Sequence, residues 1–200
     1  MQRGNLGNGR PIWTGRRAGA DTGGMRRSVA AAGSSLFMAL APGTVAGLVP
    51  WWLTGWHGHP WWPPARVLGG ALVLAGGVML VQAFGRFVIE GLGTPAPVAP
   101  TEHLVVGGLY RYVRNPMYLA VAAAILGQAL LFGRPVLVAY AVLAGALMWA
   151  FARWYEEPTL ARTFGPEYER YRSAVPGWWP RLRPWTDADG PPAGKKPARR

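Results

Sequence analysis

The sequence predicts an all-α integral membrane protein, with about four transmembrane helices, a C-terminal helical hairpin and its candidate site on the cytoplasmic face. Three observations carry that expectation. Half of the 200 residues are hydrophobic and only 15% are charged. The apolar residues gather into four long runs whose middles no basic residue interrupts. The formal charge of +12 lies at the tails and helix ends, with six Arg before Val29 and ten Lys or Arg from Arg153 onward. Alternate loops hold only Arg66 and Arg134. That asymmetry follows the positive-inside rule and puts both termini in the cytoplasm. It argues against nucleic acid as a partner, which calls for positive charge clustered on one face. The absence of Cys excludes disulfides, thiolate metal ligands and a Cys nucleophile. Heavy use of Gly, Ala, Pro, Arg and Trp points to a GC-rich bacterial source, and so to the bacterial cytoplasmic membrane.

Residues 1–27 form a basic N-terminal extension, rich in Gly and Arg, without apolar periodicity and expected to be disordered. Within it, Met25-Arg26-Arg27-Ser28 reads as a natural start ahead of an apolar span. The membrane domain covers 28–185, and a basic tail, also expected to be disordered, follows over 186–200. The first span is Val29–Leu53, with Pro42-Gly43 marking a kink. The loop Thr54–Ala65 is dense in Trp, as an interfacial aromatic belt requires. His57 and His59 lie in it without a carboxylate or Cys nearby in sequence, so they belong to the loop rather than to a metal site. The second span is about Val67–Ile89. Its Gly69, Gly70, Gly76 and Gly77 repeat at seven residues and leave one face smooth for a neighbouring helix. Gln82 reads as a buried amide between helices, and Arg86 with Glu90 as an i, i+4 ion pair. Gly91–Pro100 is too rich in Gly and Pro for regular structure.

The hairpin is the best-defined element. Two apolar runs, Met117–Phe132 and Val136–Tyr155, are separated only by Gly133-Arg134-Pro135. A link that short requires antiparallel neighbours. Asn115 is a good N-cap and Pro116 a natural first helical residue. Pro135 starts the second helix, and Pro158 marks its end. At ~1.5 Å per residue, the second helix returns Glu156 and Glu157 level with the start of the first, beside Tyr110–Arg114. Two carboxylates at the C-terminal end of a spanning helix oppose its dipole and need cations, for which Arg153, Arg111 and Arg114 are the candidates. Beyond them, Thr159–Tyr171 predicts a short amphipathic helix broken at Gly165-Pro166. Val175–Trp185 mixes Trp with Arg, as suits the headgroup layer.

The ordered set HLVVxGxYRYVRNPMY, a short hairpin, EExxLxxxFGxxYxxY and VPxWxP resembles the isoprenylcysteine carboxyl methyltransferase and phospholipid methyltransferase family of integral membrane enzymes. The resemblance covers 91–180. It implies S-adenosylmethionine as cofactor, held between helix ends at the cytoplasmic face, and a lipophilic small-molecule or lipid acceptor drawn from the bilayer. The matching positions are His103, Gly107, Tyr110, Arg114, Pro116, Tyr118, Glu156 and Glu157, all implied to bind the cofactor. Arg114 and His103 are also the implied catalytic residues, His103 as a proton acceptor or an adenine contact. No metal is implied. The family commonly has Gly where this chain has Ala120, which bears on the closest helix approach there. Residue chemistry agrees with the resemblance. Carboxylates suit an ammonium or ribose hydroxyls, Arg suits a carboxylate, and Tyr suits adenine or a sulfonium. Methyl transfer needs positioning more than a strong base. Two other readings stand beside it: a NAD(P)H-dependent membrane reductase with a similar Arg-x-Pro-x-Tyr segment, and a non-enzymatic membrane subunit.

Overall fold

Proline and glycine punctuate the chain and set its helices. The computed structural model describes residues 40–59, 61–90 and 104–186, with backbone only for 87–90. The expectations for 1–39, the Gly91–Pro100 segment, His103 and the tail beyond 186 fall outside these residues. Helical backbone from 40 leads through a π-turn, Thr44–Leu48, into α1, Val49–Thr54. Helix α2 is Pro63–Glu90, α3 is Pro116–Phe132 and α4 is Pro135–Phe151. A second π-turn, Ala152–Glu156, joins α4 to α5, Glu157–Phe164, and α6 is Pro166–Ala174. A 3₁₀ turn, Gly108–Arg111, precedes α3. Among the described residues there is no strand.

Two helical stretches, Pro63–Arg86 and Pro135–Phe164, are long and apolar enough to cross a membrane, and Pro116–Phe132 is a shorter apolar helix. Only 17% and 22% of the two long windows are buried. Leu74, Val81, Val142 and Leu147 point outward. Apolar helices that bury so little against protein are built for lipid. The core they share is small: Val121, Ile125, Ala141 and Ala144.

Antiparallel α2 and α3 approach through their backbones. A Cβ on Gly69 would stand 2.6 Å from the Gly127 carbonyl oxygen, and one on Gly76 would stand 2.7 Å from that of Ala120. The seven-residue glycine interval therefore has a use, for the Gly69–Gly76 half alone. Gly70 and Gly77 face open space. Close approach beside Ala120 is secured by Gly76 across the interface rather than by residue 120. Gln82 is exposed, and its neighbour Ala83 is the buried residue.

The buried amide is Gln128 instead, and Pro50 explains it. Proline at 50 has no N–H, and Val49 donates to Thr44 across the π-turn, so the carbonyls of Val45 and Ala46 lose their helical donors. Tyr140 Oη donates to Val45 O at 2.8 Å, and Gln128 Nε2 donates to Ala46 O at 2.7 Å. Trp56 Nε1 donates to Gln128 Oε1 at 3.2 Å. The backbone runs helical through Pro42-Gly43, and the irregularity, the π-turn, starts at the next residue, Thr44. At this end the loop is tied to the hairpin by Trp61 Nε1 to Leu130 O at 2.8 Å and Arg134 Nε to His57 O at 2.9 Å.

Candidate functional site

At the other end, α3 begins and α4 returns. The Asn115–Pro116 start is observed, but the Asn115 side chain makes no capping hydrogen bond. What fixes α3's entry is a strap, residues 175–186, laid along 111–115. Arg114 N donates to Pro176 O at 2.9 Å, Asn115 N to Gly177 O at 3.2 Å, Arg181 N to Tyr112 O at 3.0 Å and Trp185 N to Arg111 O at 2.9 Å. The strap is half buried: Val175 and Trp185 pack with Tyr168 and Tyr171, while Trp179 and Leu182 stand out. Tyr171 Oη donates to Tyr110 O at 2.7 Å and joins α6 to the 3₁₀ turn.

The two glutamates meet different partners. Arg114 Nη1 donates to Glu157 Oε1 at 2.8 Å, with the side chains 14% and 12% exposed. Arg153 and Arg172 each stand 3.9 Å from the other Glu157 oxygen. Helical backbone continues through Pro158 to Phe164, because a proline in the first turn after the π-turn interrupts nothing, so the glutamates do not end the helix as expected; three guanidinium groups surround Glu157 within it. Arg111 is not one of them; its Nε donates to Trp185 O at 2.7 Å. Glu156 Oε2 accepts from Tyr118 Oη at 2.9 Å, and the Tyr118 ring stacks on Trp178, centroids 6.1 Å apart and planes at 19°. Arg114 reaches further, with Nε to Val175 O at 3.0 Å and Nη1 to Tyr168 Oη at 3.1 Å. A guanidinium shared among three partners is held in place, as a flexible ammonium would not be.

Of the residues singled out from sequence, Arg114, Tyr118, Glu156 and Glu157 come together here, and Pro116 is fully buried at the helix start. Tyr110 is buried beside them, and burial, with the nearby Glu156 charge, pushes its phenol well above the ordinary value. Gly107 is extended and precedes the 3₁₀ turn; the glycine with left-handed backbone is Gly108, φ 57°, against the Arg86 side chain. Sequence reasoning missed Tyr168, Arg172 and Trp178 as members of the junction. The FGxxYxxY spacing pointed at Tyr168, and Trp178 is the Trp of the VPxWxP element, whereas Arg172 carried no signal.

An open depression of about 480 Å³, lined by Trp56, Gly58, His59, Arg66, Leu131 and Phe132, lies at the opposite end of the helices. It holds no carboxylate. Concavity and chemistry disagree here, and the converging charged groups are the better guide to a site.

Fold and junction together define a helical membrane protein with its Arg–Glu cluster at one end of the bundle. A family model for phospholipid methyltransferase matches residues 64–167, just over half of the chain. The chain belongs to that family, and is by family a membrane-associated methyltransferase. The match opens with α2 and closes inside α6, so it spans the close helix pair, the hairpin and both glutamates. No curated protein and no solved structure matches.

Proposed function

We propose that the protein transfers the methyl group of S-adenosylmethionine to a lipophilic acceptor at the cytoplasmic face of a bacterial membrane. In this reading four spans cross the bilayer and both termini are cytoplasmic. The observation that carries it is the junction of Arg114, Tyr118, Glu156 and Glu157 at the entry to α3, within a chain of methyltransferase family. The donor set fits the cofactor. Arg114, its Nε and Nη1 engaged, has its second terminal nitrogen to offer a carboxylate, Glu156 has one oxygen engaged by Tyr118, and Tyr118 with Trp178 offers aromatic faces to adenine or a sulfonium. Gly107, Tyr110 and Pro116 shape the wall behind these groups, and His103 joins the set as a proton acceptor or an adenine contact. When bound, S-adenosylmethionine supplies an electrophilic methyl group. The chain's own part is to hold and orient, and to keep water out through the buried Tyr110 and the Trp178 strap.

Binding of labelled S-adenosylmethionine against NADPH to the purified protein tests the reading. S-adenosylmethionine should bind and NADPH should not; the reverse makes the chain a reductase, and binding of neither favours a non-enzymatic subunit. Incubating membranes with labelled cofactor, then identifying the labelled lipid by mass spectrometry, names the acceptor among carboxylate, amine, hydroxyl and thiol classes.

A further inference from the structure

Positive charge at the far end of the bundle has no protein anion to meet. Among the described residues the carboxylates are Glu90, which closes α2, and Glu156, Glu157, Glu167 and Glu169, which follow α4, so all stand toward the junction end. Arg66 and Arg134 stand at the opposite end, ~25 Å away along the 17 residues of α3. Arg134 is tied to the loop by its bond to His57 O. Arg66 is exposed, and its guanidinium makes no hydrogen bond or ion pair among the described residues. It lines the open depression of about 480 Å³, together with Trp56, His59, Leu131 and Phe132. That volume lies within the ~300–1,000 Å³ of small-ligand pockets. The wall opposite Arg66 is fixed. Trp56 is the described non-glycine residue with left-handed backbone, φ 54°, an uncommon state for an aromatic, and its indole N–H is held by Gln128. His59 N donates to Phe132 O at 3.1 Å. Backbone strain of this kind collects at ligand clamps.

We propose that this depression binds the phosphodiester headgroup of an anionic bilayer lipid, with Arg66 on the phosphate oxygens and the His59 ring as a second donor. A guanidinium fork matches two phosphate oxygens, and neither its nitrogens nor the His59 ring are spent on protein partners among the described residues. No carboxylate lines the depression to receive an ammonium, so a phosphoglycerol headgroup suits it better than phosphoethanolamine. The surroundings favour a lipid over a soluble phosphoester. The floor is Leu131 and Phe132, the last residues of an apolar helix. Trp62 and Val67, close to Arg66 in sequence, are 67% and 74% exposed and offer apolar surface to acyl chains. The assignment does not rest on the methyl-transfer reading. A headgroup held here is a helix length away from the junction, so this lipid is a bound partner and not the methyl acceptor.

The test titrates three probes into the full-length protein in detergent, with bound copies counted by native mass spectrometry. The probes are phosphatidylglycerol, phosphatidylethanolamine with the same acyl chains, and glycerol 3-phosphate. Phosphatidylglycerol should bind wild-type protein more tightly than either of the others. Arg66→Ala should weaken it about ten- to a hundred-fold, the loss of a charge-assisted pair of bonds. Arg162→Ala removes an exposed charge from α5, at the junction end, and should change nothing. Because the Arg66 guanidinium bonds nothing in the described protein, the melting temperature without lipid should be the same in all three proteins. Added phosphatidylglycerol should raise it in wild type and Arg162→Ala but not in Arg66→Ala. The proposal is overturned if Arg66→Ala retains phosphatidylglycerol as wild type does, or if Arg162→Ala loses as much. Equal binding of phosphatidylethanolamine removes the anionic selectivity on which it stands, and glycerol 3-phosphate binding as tightly as the lipid makes the depression a soluble phosphoester site instead.

Discussion

Arg114→Lys is the sharpest perturbation of the junction, because it keeps the charge and removes the fork. In the native protein the guanidinium joins three segments: Glu157 after the second π-turn at 2.8 Å, Tyr168 on α6 at 3.1 Å and the strap at Val175 O at 3.0 Å. An ammonium can keep the ion pair with Glu157 but cannot also span the other two. Two hydrogen bonds to neutral groups are lost, each worth about 1 kcal/mol, so the variant should be about 2 kcal/mol less stable. That is roughly a thirtyfold change in the unfolding equilibrium. Denaturant unfolding of the detergent-purified protein, followed by Trp fluorescence, reads it directly. Arg162→Lys and Glu167→Gln, on exposed parts of α5 and α6, are the controls and should shift nothing. Cofactor affinity should fall in Arg114→Lys and hold in both controls. If Arg114→Lys stays within about 0.5 kcal/mol of the parent, the shared guanidinium does not hold the junction.

Three further outcomes follow from the same geometry. Gln128→Leu removes the donor to Ala46 O and the acceptor for Trp56. At about 0.6 kcal/mol per interhelical bond and at most about 1.7, it should cost roughly 1–3 kcal/mol in micelles, and Tyr140→Phe less; unchanged unfolding would mean that the Pro50 carbonyls find other donors. Burial raises the phenol pKa values of Tyr110 and Tyr171, so both favour the neutral form when folded. Their contribution is whole below pH about 10, the unfolded value, and is lost as pH rises above it, so Tyr171→Phe should flatten the alkaline loss of stability in a pH-dependent melt. Cysteine placed at Gly58 should react with an impermeant reagent from outside intact cells and one at Ala193 should not; the opposite pattern inverts the proposed orientation.

The part of the junction legible in the sequence was the part that helix arithmetic controls. Gly133 and Arg134 leave the chain no route but back, and equal rise per residue then returns Glu156 and Glu157 to the level of Arg114 and Tyr118. The glycine interval in α2 likewise announced a close neighbour. What stayed hidden depends on partners chosen in three dimensions. Asn115 precedes Pro116 and so looks like a cap, yet backbone bonds from 114 and 115 to the strap fix α3's entry and leave its side chain aside. Gln82 and Gln128 are both amides in apolar helices, and composition cannot say which one is buried. The signal that decides it was present: Pro50 must orphan carbonyls one turn back, and a buried amide on a facing helix is the expected remedy.

The second π-turn explains how two adjacent carboxylates come to serve different partners. Successive residues on a helix point about 100° apart, so a single neighbouring face cannot take both Glu156 and Glu157. The turn at Ala152–Glu156 holds one extra residue and resets the register where the two glutamates begin. Glu156 then meets Tyr118 inside α3, while Glu157 meets Arg114, four residues earlier and just outside it. One carboxylate is balanced by a guanidinium and keeps the three chain segments together. The other is bonded only to a phenol among the described residues, and no guanidinium stands beside it in an ion pair there. In the proposed reading, stability and binding are divided between two neighbours in sequence, so Glu157→Gln should cost mainly stability and Glu156→Gln mainly affinity.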